Sequence, residues 1–139
     1  MMSGLENVFD VGARALSAQM VRMNTTASNL ANAGTVAGSA EEAFQPMRPV
    51  FETVYGDAVG TSSLATAQVA EVVSLNREPE KVFQPDHPDA DADGFVWRSP
   101  VNVEEEMVEM LEASRQYQNT LEAMSTLRSL MARTLSMGT

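Results

Sequence analysis

Asp89, Asp91, Asp93 and Gly94 are the residues whose types and spacing come nearest to chemistry, because D-x-D-x-D-G is how an EF-hand calcium loop opens. That loop also needs a bidentate Glu at its twelfth position, where Pro100 stands, and no helical pattern precedes Asp89. A calcium-dependent module would rest on the three aspartates alone; the competing expectation is a polar turn ending at Gly94. His87 is the single histidine. It has no second ligand or acid–base partner at a useful spacing, and its proline-rich flanks make a turn role the expectation. Cysteine is absent, which removes thiolate metal sites, disulfides and cysteine nucleophiles together. No nucleophile motif, Gly-rich phosphate loop or paired-His signature occurs, so no enzyme chemistry, cofactor or small-molecule substrate is expected.

Composition narrows the classes further. The formal net charge is -10, with nine Lys and Arg scattered along 139 residues. That balance supplies no basic stripe for nucleic acid and disfavours anionic membrane surfaces. No run approaches the ~18 apolar residues of a membrane span, so direct membrane insertion is not expected. The N-terminus shows no basic region followed by an apolar run, so no cleaved secretory signal is expected either. Hydrophobic residues make up 44% of the chain but aromatics only 6%, so the core should be thin and built of Ala and Met.

With no chemistry in view, the elements carry the information. From Asn102 to about Met137 the apolar residues Val103, Met107, Met110, Tyr117, Leu121 and Met124 step by fours and threes, with Ser114 in one slot. This is a heptad seam. It then steps by three to Leu127 and runs through Met131 to Leu135. Asn102 and Glu105 form the pattern of a capping box, and Glu104, Glu105 and Glu106 favour a helix start. A second seam runs through Leu5, Phe9, Ala13, Leu16, Met20, Met23, Ala27 and Leu30, with Gly34 as the expected stop. Between Ala15 and Ala40 the only charge is Arg22. A lone helix in water shows a charged face, so a helix this bare is expected to be surrounded by others.

Between the helices the period changes. Pro49 to Tyr55 reads as a strand, residues 56–66 as a loop, and Gln68 to Ser74 as the returning strand of a hairpin. Residues 35–42 read as a loop, Asn76 to Pro88 as an extended surface segment, and Phe95 to Trp97 as a short strand. The expected fold is therefore mainly α with a small β insertion. Long N- and C-terminal helices (1–34 and 102–139) pair as an antiparallel coiled coil around a β-rich insertion (35–101). Seams of Ala and Met bury little relative to the cost of ordering some ~60 helical residues, which points to further burial against other chains.

The run Ser17 to Ala33, with Asn24, Ala27, Ser28, Asn29, Leu30, Ala31 and Asn32, resembles the motif shared by bacterial flagellar rod and hook proteins. Pro85 to Val96, Pro100 to Val108, and Ala113 to Asn119 with Ser114, Arg115 and Tyr117, are similar to the basal-body rod members of that family, as is the ending Thr134 to Gly138. Gly34 stands where the motif often has Asn or Asp. The resemblance implies a structural subunit of the basal-body rod, crossing the periplasmic space. Such a subunit is made in the cytoplasm, exported by the flagellar type III apparatus without a cleaved signal, and folds on assembly into a helical tube. Its partners would be copies of itself, other flagellar rod proteins and the export apparatus. The alternative from the residues alone is a soluble acidic helical binding module, such as an export chaperone or adaptor.

Overall fold

The computed structural model describes residues 2–55 and 65–138. Two long helices, α1 (Met2–Ala31) and α2 (Val103–Met137), enclose five strands in sequence. These are β1 (Val36–Ala37), β2 (Met47–Tyr55), β3 (Ala65–Ser74), β4 (Glu80–Phe83) and β5 (Phe95–Arg98). At 35 residues α2 extends roughly 52 Å. The chain exposes 9400 Å², against about 7,000 Å² for a compact protein of its mass. The surplus is the surface of an elongated molecule.

The helices pair antiparallel, as expected: Arg22 on α1 meets Glu109 on α2, and farther along Gly12 faces Met124. A Cβ on Gly12 would lie 2.6 Å from the Met124 sulfur, so glycine lets the α2 side chain press onto the α1 backbone. Asn102 caps α2 by accepting the Glu105 amide at 3.0 Å. The α1 stop differs from expectation. The helix ends at Ala31, with the Asn32 side chain donating to the Ser28 carbonyl at 2.8 Å, and Gly34 is not in the left-handed region.

β2 and β3 form an antiparallel hairpin that packs against α1. Ala70 is the extra residue of a bulge opposite the Val50–Phe51 step, a device that adds twist. The hairpin begins at Met47, two residues before the predicted Pro49, and returns from Ala65; residues 56–64 of the predicted loop lie outside the described residues. A second sheet has the order β1-β5-β4, all antiparallel. Phe95–Trp97 is a strand as predicted, but two of its partners corrected the expectation. The extended segment 76–88 contains β4, and the loop 35–42 contains β1. Both are too short to show a period: β1 pairs with β5 from far away in sequence, and β4 pairs with it across residues 84–94. Val96 is fully buried in this sheet, and the Phe83 and Phe95 rings meet edge to face at 5.2 Å.

Candidate assembly interface

Where α1 ends, α2 begins and β2 passes, polar groups converge. Asn29 is fully buried. Its side-chain amide donates to the Met47 carbonyl at 2.9 Å and to Glu106 Oε2 at 3.0 Å, and its oxygen accepts the Met47 amide at 3.0 Å. Glu106 is 0% exposed, and its Oε1 lies 2.6 Å from Arg48 Nη2 without hydrogen-bond geometry. Beside it, Glu105 receives a two-pronged pair from Arg77, at 2.9 and 2.8 Å. Arg77 is held in place by Gln45, whose side chain bonds both its amide and its carbonyl. Asn76 before it adopts φ 48°, a left-handed turn that Asn tolerates. Hydrogen bonding from Arg77 holds the Glu105 carboxyl below its ordinary range, and burial works in the opposite direction. The same bond raises Arg77. Glu105 is thus diverted to Arg77, and only the Asn102 half of the expected capping box is formed.

Arg22, the lone charge on its stretch of α1, donates Nε and Nη2 to Glu109 Oε2 at 3.0 and 2.8 Å. The triple Glu at the start of α2 was legible as a helix-start signal. Its arginine partners were not, because Arg48 and Arg77 lie 57 and 28 residues away from Glu105 in sequence.

The seams within the chain are rotated from the predicted ones. On α2 the residues turned inward are Glu106, Met110, Ala113, Tyr117, Thr120, Met124, Leu127 and Met131, all buried or half-buried. Val103, Met107, Leu121 and Leu135 are exposed, with Met107 at 56% and Leu121 at 49%. On α1, Leu5, Phe9, Leu16, Met23 and Leu30 are half-buried as expected. At the alternate positions Gly12, Gln19 and Thr26 replace Ala13, Met20 and Ala27, which are exposed. On both helices the inward position lies one residue before Ala13, Met20 and Ala27 and before Met107, Ser114 and Leu121, while Val103 and Leu135 stay outside. The inward positions Gly12, Gln19, Thr26, Glu106, Ala113 and Thr120 are small or polar, so apolarity alone does not mark the faces that the single chain pairs.

The displaced residues make a surface. At about 100° per residue, Ala13, Met20, Asn24, Ala27 and Ala31 share one face of α1, and Val103, Met107, Leu111 and Leu121 one face of α2. All are exposed, Leu111 at 66%. Since the helices are antiparallel, both faces look out from one side of the pair. Arg22 and Asn29 lie on the other, and the hairpin packs along Ala18 and Val21, on the back of α1. Between these residues the strip itself holds no charge, and the exposed Glu104, Arg115 and Glu122 border it beside Leu111.

Of the motif residues, Asn29 is a buried hub and Asn32 caps α1, while Ser28 supplies the capped carbonyl. Leu30, Ser114 and Tyr117 are half-buried, and Asn24, Ala27, Ala31 and Arg115 are exposed. The aspartate run is a turn. Asp91 Oδ1 accepts the amides of Asp93 at 3.0 Å and Phe95 at 2.8 Å, and Gly94, at φ 82°, closes it. His87 Nδ1 accepts the Asp89 amide at 3.1 Å within a neighbouring turn. Among the described residues no acidic or histidine cluster is arranged to hold a metal, and no helix is long and apolar enough to cross a membrane.

Residues 9–38 match the family described as flagella basal body rod protein, and residues 92–137 the C-terminal region of the flagellar basal body rod FlgEFG proteins. These segments contain most of both helices and leave the hairpin out. The chain is 40% identical to the flagellar basal-body rod protein FlgC of Salmonella typhimurium over 96% of its own length and 98% of the relative's. It is 32% identical to that of Aquifex aeolicus, over 96% of each chain. The FlgC of Bacillus subtilis is 28% identical over 93% of this chain. These relatives are structural proteins, which displaces the chaperone or adaptor alternative. The paired helices, their buried Asn29 hub and the matches along nearly the whole chain lead to one family: this chain belongs to the FlgC flagellar basal-body rod proteins.

Proposed function

We propose that this chain, a structural subunit of the basal-body rod, assembles with copies of itself and with other rod proteins through the uncharged strip along its helix pair. One observation carries the reading. Val103, Met107, Leu111 and Leu121 stand exposed on a single stripe of α2, beside the bare face of α1. Isolated exposed apolar residues are ordinary, whereas a contiguous stripe marks an interaction surface. For subunits of charge -10, a strip without charged residues also lessens the opposition of carboxylates on contact. Contacts between unlike faces of successive copies build open helical arrays, which suits a tube.

Export precedes assembly in this reading. The N-terminal segment acts as an uncleaved signal for the flagellar type III apparatus, and the terminal helices complete their burial once the subunit reaches the rod across the periplasmic space. The domain division follows: 1–34 and 102–139 are assembly helices, and 35–101 is the β-rich insertion. Deletion of residues 2–30 in the native host tests it. Loss of both secretion and swimming is expected; intact export and motility would overturn the reading.

A further inference from the structure

The sequence offers its helices two competing seams. One, through Met20, Met107 and Leu121, is the more apolar; the other, through Thr26, Glu106 and Thr120, is the one the pair buries. They share Phe9, Leu16 and Met23 on α1 and Met110, Tyr117 and Met124 on α2, and differ by one residue at every second position. Their centres therefore lie about 50° apart, half of the ~100° between neighbouring residues. Burial of apolar area alone favours the seam that is left outside. Something must turn the helices the other way.

We propose that Glu106, gripped by Asn29 and Arg48, is a phase lock that sets the rotation of the helix pair and keeps the unshared apolar positions Met20, Met107 and Leu121 facing outward. Asn29 cannot follow a rotation, because both ends of its amide are tied to the Met47 backbone in β2. Glu106 sits in the first turn of α2 with its carboxylate in contact with Asn29 and Arg48. A side-chain tip some ~5 to 6 Å from the helix axis would move roughly 5 Å on a 50° turn, breaking its hydrogen bond. It would be left a buried carboxylate without partners, a state proteins avoid. Glu105, forked to Arg77, resists the same motion. Thus a polar cluster outweighs the apolar preference and decides which residues face outward. The phase is a property of the single chain; its use in presenting Met20, Met107 and Leu121 to neighbours rests on the assembly reading above.

Thiol alkylation of the full chain reads the phase directly, since the protein has no cysteine of its own. Met107→Cys marks the outer seam and Ala113→Cys the inner one, whose alanine is 0% exposed. In the otherwise unaltered chain the first thiol is expected to react at least tenfold faster. With Glu106→Leu and Arg48→Met together, which leave no orphan charge, the ratio is expected to fall below threefold while far-ultraviolet circular dichroism stays helical. An unchanged ratio would overturn the lock, as would equal rates in the unaltered chain. Should the double variant lose its helical signal, Arg48→Lys decides: a threefold or greater fall supports the lock and an unchanged ratio overturns it. Failure of the deletion test with the alkylation ratios as expected would remove the assembly reading and leave the lock standing.

Discussion

Glu105 shows how far a single residue can be from the role its sequence position suggests. It stands where a capping box would use it, yet its carboxylate spans to Arg77 and Arg48. The Arg77 hydrogen bond lowers its pKa in the folded chain. A group with a depressed folded pKa contributes stability above its unfolded pKa and loses it as pH falls through the folded value. The side chain is 41% exposed, so solvent screening keeps the contribution small. Glu105→Gln is therefore expected to lower the thermal midpoint modestly at neutral pH. The gap from the unaltered chain should close on acidification through the carboxylate range, as followed by circular dichroism. A gap that persists unchanged into strong acid would show that the ion pair is not its source.

At the scale of elements, the helix pair depends on one close approach. Gly12 leaves room for the Met124 side chain against α1. Gly12→Leu would overfill that contact, and such overpacking costs about 1–3 kcal/mol. Methionine is flexible and yields where backbone would not, so Gly12→Ala is expected to cost much less. Adding Met124→Ala to Gly12→Leu should restore part of the loss, a coupling that a double-mutant cycle in denaturant measures. Strict additivity of the two substitutions would mean that they do not touch. The small sheet has a comparable point in Gly94, where a positive φ and the nearby Phe83 ring both exclude a side chain.

For the whole molecule, the rotated seams separate folding from assembly. Leu121 lies outside the seam of its own chain. Leu121→Asp is therefore expected to leave the helix pair folded and export intact while blocking incorporation into the rod, so that secreted subunit accumulates and swimming is lost. Met124→Asp, on the inner seam, should instead unfold the pair, since it buries an unpaired charge. Equal loss of secretion and incorporation in Leu121→Asp would count against the outer seam as the contact surface. The elongated shape belongs to the same logic, because an excess of exposed surface in one subunit is available for burial between subunits.

The two long helices, their antiparallel partnership and the hairpin between them were legible in the chain itself. Period, capping residues and β-branched runs are local signals, and a heptad repeat persists over many turns. The asparagine motif was legible too, though not what Asn29 does there. Tertiary structure alone decided the rotation of the helices. Two seams sharing Met110, Tyr117 and Met124 fit the same repeat, and apolarity alone does not mark the one that the single chain pairs. The proposed lock needs Arg48 and the Met47 backbone that fixes Asn29, which reach Glu106 only after the β insertion has folded back against both helix ends. The strands β1 and β4 were hidden for a related reason: each is held by β5, and a segment of two or four residues is too short to carry a periodic mark of that pairing.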